Sequence, residues 1–577
     1  MRYLASVILF FFALIGSAQA KSPNRPFDGL YPNNISGFDS INIDKQQITN
    51  LTLIGQVWGF LKYHHPAVSK GAYKMDSELL SMLPTVLNSR DNSELSTSIE
   101  KWVDKFGIPN KCKRCQPEVG KDVAQQPDYG SIFNNEILNS SLIRKLKYIL
   151  ENRNTDDHYY VGTAEVAGNP LFRNEMAYGE MKYPAVEYRL LSLYRYWNIV
   201  QYFYPYKHLT GKNWNDVLTE FLPQFIKSSN ATEYVVVLTK LIANVHDGHA
   251  NIGPGSVALE HYRGDFSPPF QAKFIENKLV VTGYYNDTLN IKQLVKIGDV
   301  INKINGLSID TLVKKYLPFT GASNYVSELK RMKRHHLLRS NNKAMSLDIF
   351  RDGKEEVINV RLLEYNKLNL GLDSDPDPKQ PAYKRIDGDI SYLFPGRYKN
   401  KDLSAVKKTF DGTKGMIIDL RSYPGDDMAF TFAPYIKSGN AEYVMFTRIS
   451  TSYPGLLKFS KPFGIRGTGK YTGKVVVIVN EDTQSKAEYT AMCFQASPNV
   501  TVIGSTTAGA DGNVSEIVLP GGITTWISGV GILYPDGTET QRQGIKINIQ
   551  IKPTIYGIKT GKDELLEKAK QIINDSR

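Results

Sequence analysis

The sequence predicts a multidomain α+β chain. A helical N-terminal part with an internal repeat precedes a β-rich module, and a core of alternating strands and helices follows. Three observations carry this. The chain has 577 residues, too many for one domain at roughly 150 residues each. VWGFLKYHHP, beginning at Val57, matches YWNIVQYFYP, beginning at Tyr196, without a gap. Near Phe270 the apolar spacing changes from helical to strand-like.

The first 20 residues, with Arg2, an apolar stretch from Leu4 to Ile15 and Ala18-Gln19-Ala20, read as a cleaved secretory signal. The expected location is therefore periplasmic or extracellular. No later apolar run reaches about 18 residues, so stable membrane insertion is not expected. The first helical repeat is assigned to residues 21–188 and the second to 189–262. Ile54, Val57, Trp58 and Leu61 are spaced as one helix face, as are Leu193, Tyr196, Trp197 and Val200, and the same offset carries Tyr63 onto Tyr202 and Pro84 onto Pro223. The aromatic residues read as core. HDGHANIG closes the second copy and delivers His249 just past a turn, where the first copy has Asn110. Cys112 and Cys115 form a CKRC pair; a local disulfide is the preferred reading in an oxidising compartment, with a metal clip and a redox site as alternatives. Cys493, in YTAMCF, reads as a buried small hydrophobe.

Residues 263–365 contain short strands, with turns at Gly298-Asp299 and Asn305-Gly306, and form the β-rich module. A Pro/Asp-rich linker spans 366–382, and the core occupies 383–577. In the core, GMIIDLR and KVVVIVN read as buried strands, each followed by a polar turn and a helical pattern. The net charge is +12, but the basic residues are spread along the chain without a Lys/Arg block, which argues against a nucleic-acid partner. No cofactor or metal is expected.

Ser485 follows KVVVIVN and lies three residues before Glu488, the spacing of a capping box. A serine there caps a helix; to act as a nucleophile it also needs a base and donors for an oxyanion. Ser485 after its strand, TTAGADG, GMIIDLRSYPGDD, KIGDVINKING and HDGHANIG occur in an order that resembles the tail-specific and tricorn-type serine peptidase family, over about residues 190 to 577.

The resemblance implies a helical cap, a PDZ-like module and a crotonase-like ββα peptidase core that hydrolyses peptide bonds of exported proteins or peptides, with their C-terminal tails as one means of recognition. Tail-specific members use a lysine whose position falls on Ala510, so a Ser-Lys dyad is absent. The tricorn-type arrangement fits instead, with Ser485 as nucleophile and His249 as base, active above the imidazole range of about 6 to 7. An acidic residue should orient His249; Gln541 holds the matching position, Glu539 lies two residues away, and Asp511 is a weaker third. Oxyanion donors are expected from the Lys486 N–H and from the turn at Gly425 and Asp426, where Asp426 replaces a glycine. The alternative is a catalytically inactive, PDZ-containing peptide-binding protein of the same fold.

Overall fold

The computed structural model describes residues 43–115, 120–437 and 439–576. The expected signal segment lies outside them. No helix among the described residues is long and apolar enough to cross a membrane.

Helices Lys45–His64, Met75–Asn88 and Asn92–Asp104 are matched by Val186–Phe203, Trp214–Lys227 and Ala231–Ala243. The match extends to single bonds. The indole of Trp58 donates to the Met75 carbonyl at 2.8 Å, and that of Trp197 donates to the Trp214 carbonyl at 2.7 Å. Pro84 and Pro223 sit inside equivalent helices, and Asp91 and Asn230 cap equivalent N-termini. The two copies share one core, which also takes in Ile517, Leu519 and Ile527 from a hairpin far along the chain. That hairpin, Val514–Leu519 with Ile523–Ser528, brings Ser528 to the end of the helical region.

A buried charge network ties the copies together. Lys62 pairs with Glu175 at 2.6 Å, and Arg195 pairs with Glu175 and Asp76, both at 2.9 Å. Burial pulls the Lys62 ammonium below its ordinary range, and Glu175 opposes that fall. Glu175→Ala leaves two buried cations short of a counter-charge. It is expected to lower unfolding stability by about 3–5 kcal/mol in chemical denaturation. Cys112 and Cys115 are joined by a disulfide, and Cys493 is buried and unpaired.

The β-rich module is an antiparallel sheet whose strands lie in the order Lys354–Arg361, Ala344–Arg351, Val300–Ile304, Lys278–Tyr284, Phe270–Ile275, around a core of its own. Helices Ile309–Tyr316 and Tyr325–Met332 accompany it.

The C-terminal core is a mixed α/β layer. Strands Ile390–Leu393, Gly415–Asp419, Lys474–Val479, Val500–Gly504 and Ile549–Gln550 run parallel, with Tyr383–Ile386 antiparallel at the edge. Helix Glu564–Asp575 covers one face through Leu565, Ala569 and Ile573. Helix Lys486–Gln495 covers the other through Ala487, Ala491 and Phe494. Burial on both faces explains why GMIID and KVVVIV are continuous apolar runs.

Candidate active site

Ser485 stands where strand Lys474–Val479 has ended and helix Lys486–Gln495 begins. Its backbone has φ 56° and ψ −123°, a conformation that costs a residue with a Cβ roughly 1–3 kcal/mol. The surroundings impose it. The Ser485 N–H donates to the Ala510 carbonyl at 2.9 Å and to the Glu488 carboxylate at 3.2 Å. Glu488 is buried and also accepts from Thr507 Oγ1 at 2.5 Å, Gly509 N at 2.8 Å and Ala510 N at 3.0 Å. The glutamate of the capping box thus fastens the TTAGADG loop to the serine turn. Burial pushes its carboxyl above the ordinary range against these four donors. Asp511, also buried, is pushed well up by burial and by the neighbouring Glu488 charge.

His249 follows helix Ala231–Ala243 in a turn built by Asp247, whose carboxylate accepts the His249 N–H at 3.0 Å. Ser528 Oγ donates to Asp247 Oδ1 at 2.9 Å and contacts His249 Nδ1 at 2.9 Å, and the Ser528 N–H donates to Asp247 Oδ2 at 2.6 Å. The hydroxyl has one proton, which goes to the carboxylate, so Nδ1 must be the donor to Ser528 Oγ. That tautomer leaves the lone pair on Nε2, the atom a base would use. Nε2 is buried and has no hydrogen-bond partner, so the imidazole and the Ser485 hydroxyl are not bonded to each other in this arrangement. Burial holds the His249 pKa below its ordinary value; Asp247 opposes and Arg331 adds to the shift.

The two loops nevertheless meet. The Gly248 carbonyl accepts from Gln484 Nε2 at 3.3 Å, one residue before Ser485. A Cβ on Gly248 would lie 2.6 Å from that of Ala510, so only glycine permits this approach. The β-rich module holds the same turn. Ser323 Oγ accepts the Gly248 N–H at 2.8 Å, and Arg331 donates to the Gly248 carbonyl at 2.5 Å.

Two sequence expectations need correction. Glu539 pairs with His208 at 3.1 Å and does not orient His249. Gln541 reaches Ser323 Oγ at 3.2 Å and Asp247 Oδ1 at 3.5 Å, so it touches the orienting carboxylate and not the ring. Asp247 and Ser528 occupy the place assigned to those residues. The second correction concerns Gly425, whose N–H donates to the Pro395 carbonyl at 2.9 Å and is not directed at an oxyanion. The Asp426 carboxylate accepts the Asn400 N–H at 2.9 Å, which turns its charge toward that amide. Lys486 is the first residue of its helix, with its ammonium 4.9 Å from the Tyr423 ring centre.

Comparison with known proteins agrees with this architecture. Residues 393–551 match the family model described as Peptidase family S41. The chain is 25% identical over 224 residues to the carboxy-terminal processing protease CtpA of Bacillus subtilis (strain 168), covering 37% of this chain and 46% of that protein. It therefore spans about half the length of that relative. Among solved structures, mature CPAF superposes with a TM-score of 0.54 at 14% identity, over 68% of this chain and 98% of the other. Mature CPAF complexed with lactacystin gives 0.53 at 12% identity, over 68% and 99%. At these identities the structures share the fold.

Proposed function

We propose that this chain, whose residues 393–551 match the Peptidase family S41 model and which is similar to a carboxy-terminal processing protease, is an exported serine peptidase with Ser485 as nucleophile and His249 as base. The observation that carries the reading is the Asp247–Ser528–His249 chain, which fixes the imidazole tautomer with its lone pair on Nε2. In the acylation step Ser485 Oγ bonds to the peptide carbon while its proton passes to Nε2. The amine then leaves with that proton, and water repeats the sequence to release the acid. The Lys486 N–H, at a helix N-terminus, is one donor to the developing oxyanion.

Residues 263–365 act as a PDZ-like module that takes an extended peptide as an added strand. The module grips both halves of the site. Lys273 and Lys330 pair with Asp482, at 3.0 and 2.9 Å, just before the nucleophile, while Ser323 and Arg331 hold the base turn. Peptide binding there would close the gap that leaves Nε2 unpartnered. If the module assembles the site, deleting it and joining its flanks with a flexible linker lowers kcat on a short peptide at saturation by at least about tenfold. A kcat within about threefold of wild type would make the module a tether.

The missing Ser485–His249 bond also favours a second reading, a peptide-binding protein without catalysis. Incubation with an unfolded protein separates the two. New termini in mass spectra with wild type support the peptidase; intact substrate supports the binder.

A further inference from the structure

Arg331 lies in helix Tyr325–Met332, and the chain continues from it through a π-helical turn, Lys333–Leu337. A wide turn of that kind, closed by i→i+5 bonds, carries residues four and five further on back to one side. His335 and His336 accordingly line one small cavity together with Arg331, and Arg263, Ala250 and Asn251 complete its wall. Ala250 and Asn251 directly follow His249, so the cavity lies between the β-rich module and the far end of the base turn. It has room for about one water-sized body, and no acidic side chain lines it.

The cations around it are short of counter-charge. The Arg263 side chain is 10% exposed, and its buried Nε–H has no hydrogen-bond partner among the described residues. Its Nη1 donates to Glu260 at 2.7 Å, but Glu260 also accepts from Arg339 at 3.1 Å. One carboxylate thus serves two guanidiniums. Arg331 donates to the carbonyls of Gly248, Ala250 and Gly321, and Asp247 and Glu328 act on it only through space. Burial lowers the Arg331 pKa to about 10; Asp247 opposes the fall and Arg263 adds to it. Burial, followed by the Arg263 charge, lowers His336 to about 3, so its ring is neutral and carries one N–H.

We propose that this cavity binds a single small anion, a halide such as chloride, which accepts from the Arg263 Nε–H and sits against Arg331, His335 and His336. A water molecule would accept from Nε–H and leave the charge unbalanced, whereas a halide does both. Sulfate and phosphate, with four oxygens around a central atom, exceed the space. The bound halide ties helix Val257–Arg263 to the module beside the residues that follow His249. None of this depends on Ser485 being a nucleophile.

Crystals grown in sodium bromide should show an anomalous difference peak in this cavity, in contact with Arg263. In solution, chloride should raise the melting temperature saturably over gluconate at equal ionic strength, by about 2 °C or more, and sulfate should not. Arg263→Gln should abolish that difference. Glu260→Gln keeps the cations and removes their shared carboxylate, so half-saturation should fall to at least about threefold lower chloride. No anomalous peak in wild type, a chloride-dependent rise that survives Arg263→Gln, or a half-saturation unmoved or raised in Glu260→Gln overturns the proposal. Should Arg263→Gln not fold, the bromide map and Glu260→Gln decide.

Discussion

Ser485→Ala is expected to abolish peptide hydrolysis without unfolding the protein. Alanine removes the only atom that can attack the carbonyl, so a loss of at least about 10⁴-fold in kcat is expected. The structural cost is small. The Ser485 N–H bonds to Ala510 and Glu488 survive, and what is lost is at most the capping contribution of one hydroxyl, so stability should change by about 1 kcal/mol. The positive φ gives a second variant with the opposite sign. Ser485→Gly is equally inactive, but glycine adopts φ 56° without the Cβ penalty and should be at least as stable as wild type. An inactive yet more stable glycine variant indicates a strained side chain kept for chemistry and not for capping. Kinetics on one peptide and denaturation of the three proteins measure both effects.

His249→Ala should be nearly as damaging, with a loss of about 10³–10⁵-fold in kcat, because it removes the base that takes the Ser485 proton in the proposed mechanism. The pH profile carries further information. In the proposed mechanism the working base is the neutral imidazole, so activity should fall as pH drops through its pKa. Burial, aided by Arg331 and opposed by Asp247, lowers that pKa, which keeps the imidazole neutral at more acidic pH. The acid limb of kcat/KM should therefore lie below about 6.5, the ordinary histidine value. Asp247→Asn removes the one charge that favours imidazolium. It should move the limb lower still and reduce kcat by loosening the tautomer that Ser528 relays. A limb at or above pH 7 in wild type would contradict the buried setting of His249.

Ser485 and His249, the residues on which the proposed mechanism rests, each sit on a strong local signal in the sequence. A buried strand followed by a capping-box serine names the first, and an Asp-Gly turn past an amphipathic helix names the second. The partner that orients His249 was not legible. Its carboxylate, Asp247, stands two residues before the histidine, and the D-x-H spacing of an Asx turn is the signal that could have pointed to it. Ser528 had no signal, because it reaches the imidazole only after a distant hairpin docks against the helical repeats. Glu539 was misplaced by reading an acid from its position along the chain, whereas its carboxylate reaches His208. Gly425 was misplaced for a similar reason: sequence identifies the turn but not that Pro395 takes its amide. The parallel strands were readable as apolar runs, since burial on both faces leaves no alternation to interpret.

The central claim is that Ser485 is a nucleophile activated by His249, and covalent labelling tests it most directly. Wild type treated with a fluorophosphonate, digested and mapped by mass spectrometry should carry one adduct per chain, on the peptide containing Ser485. The adduct should be absent from Ser485→Ala and should form at least about 100-fold more slowly in His249→Ala. No adduct in wild type, an adduct that persists in Ser485→Ala, or labelling unaffected by loss of His249 would contradict the account.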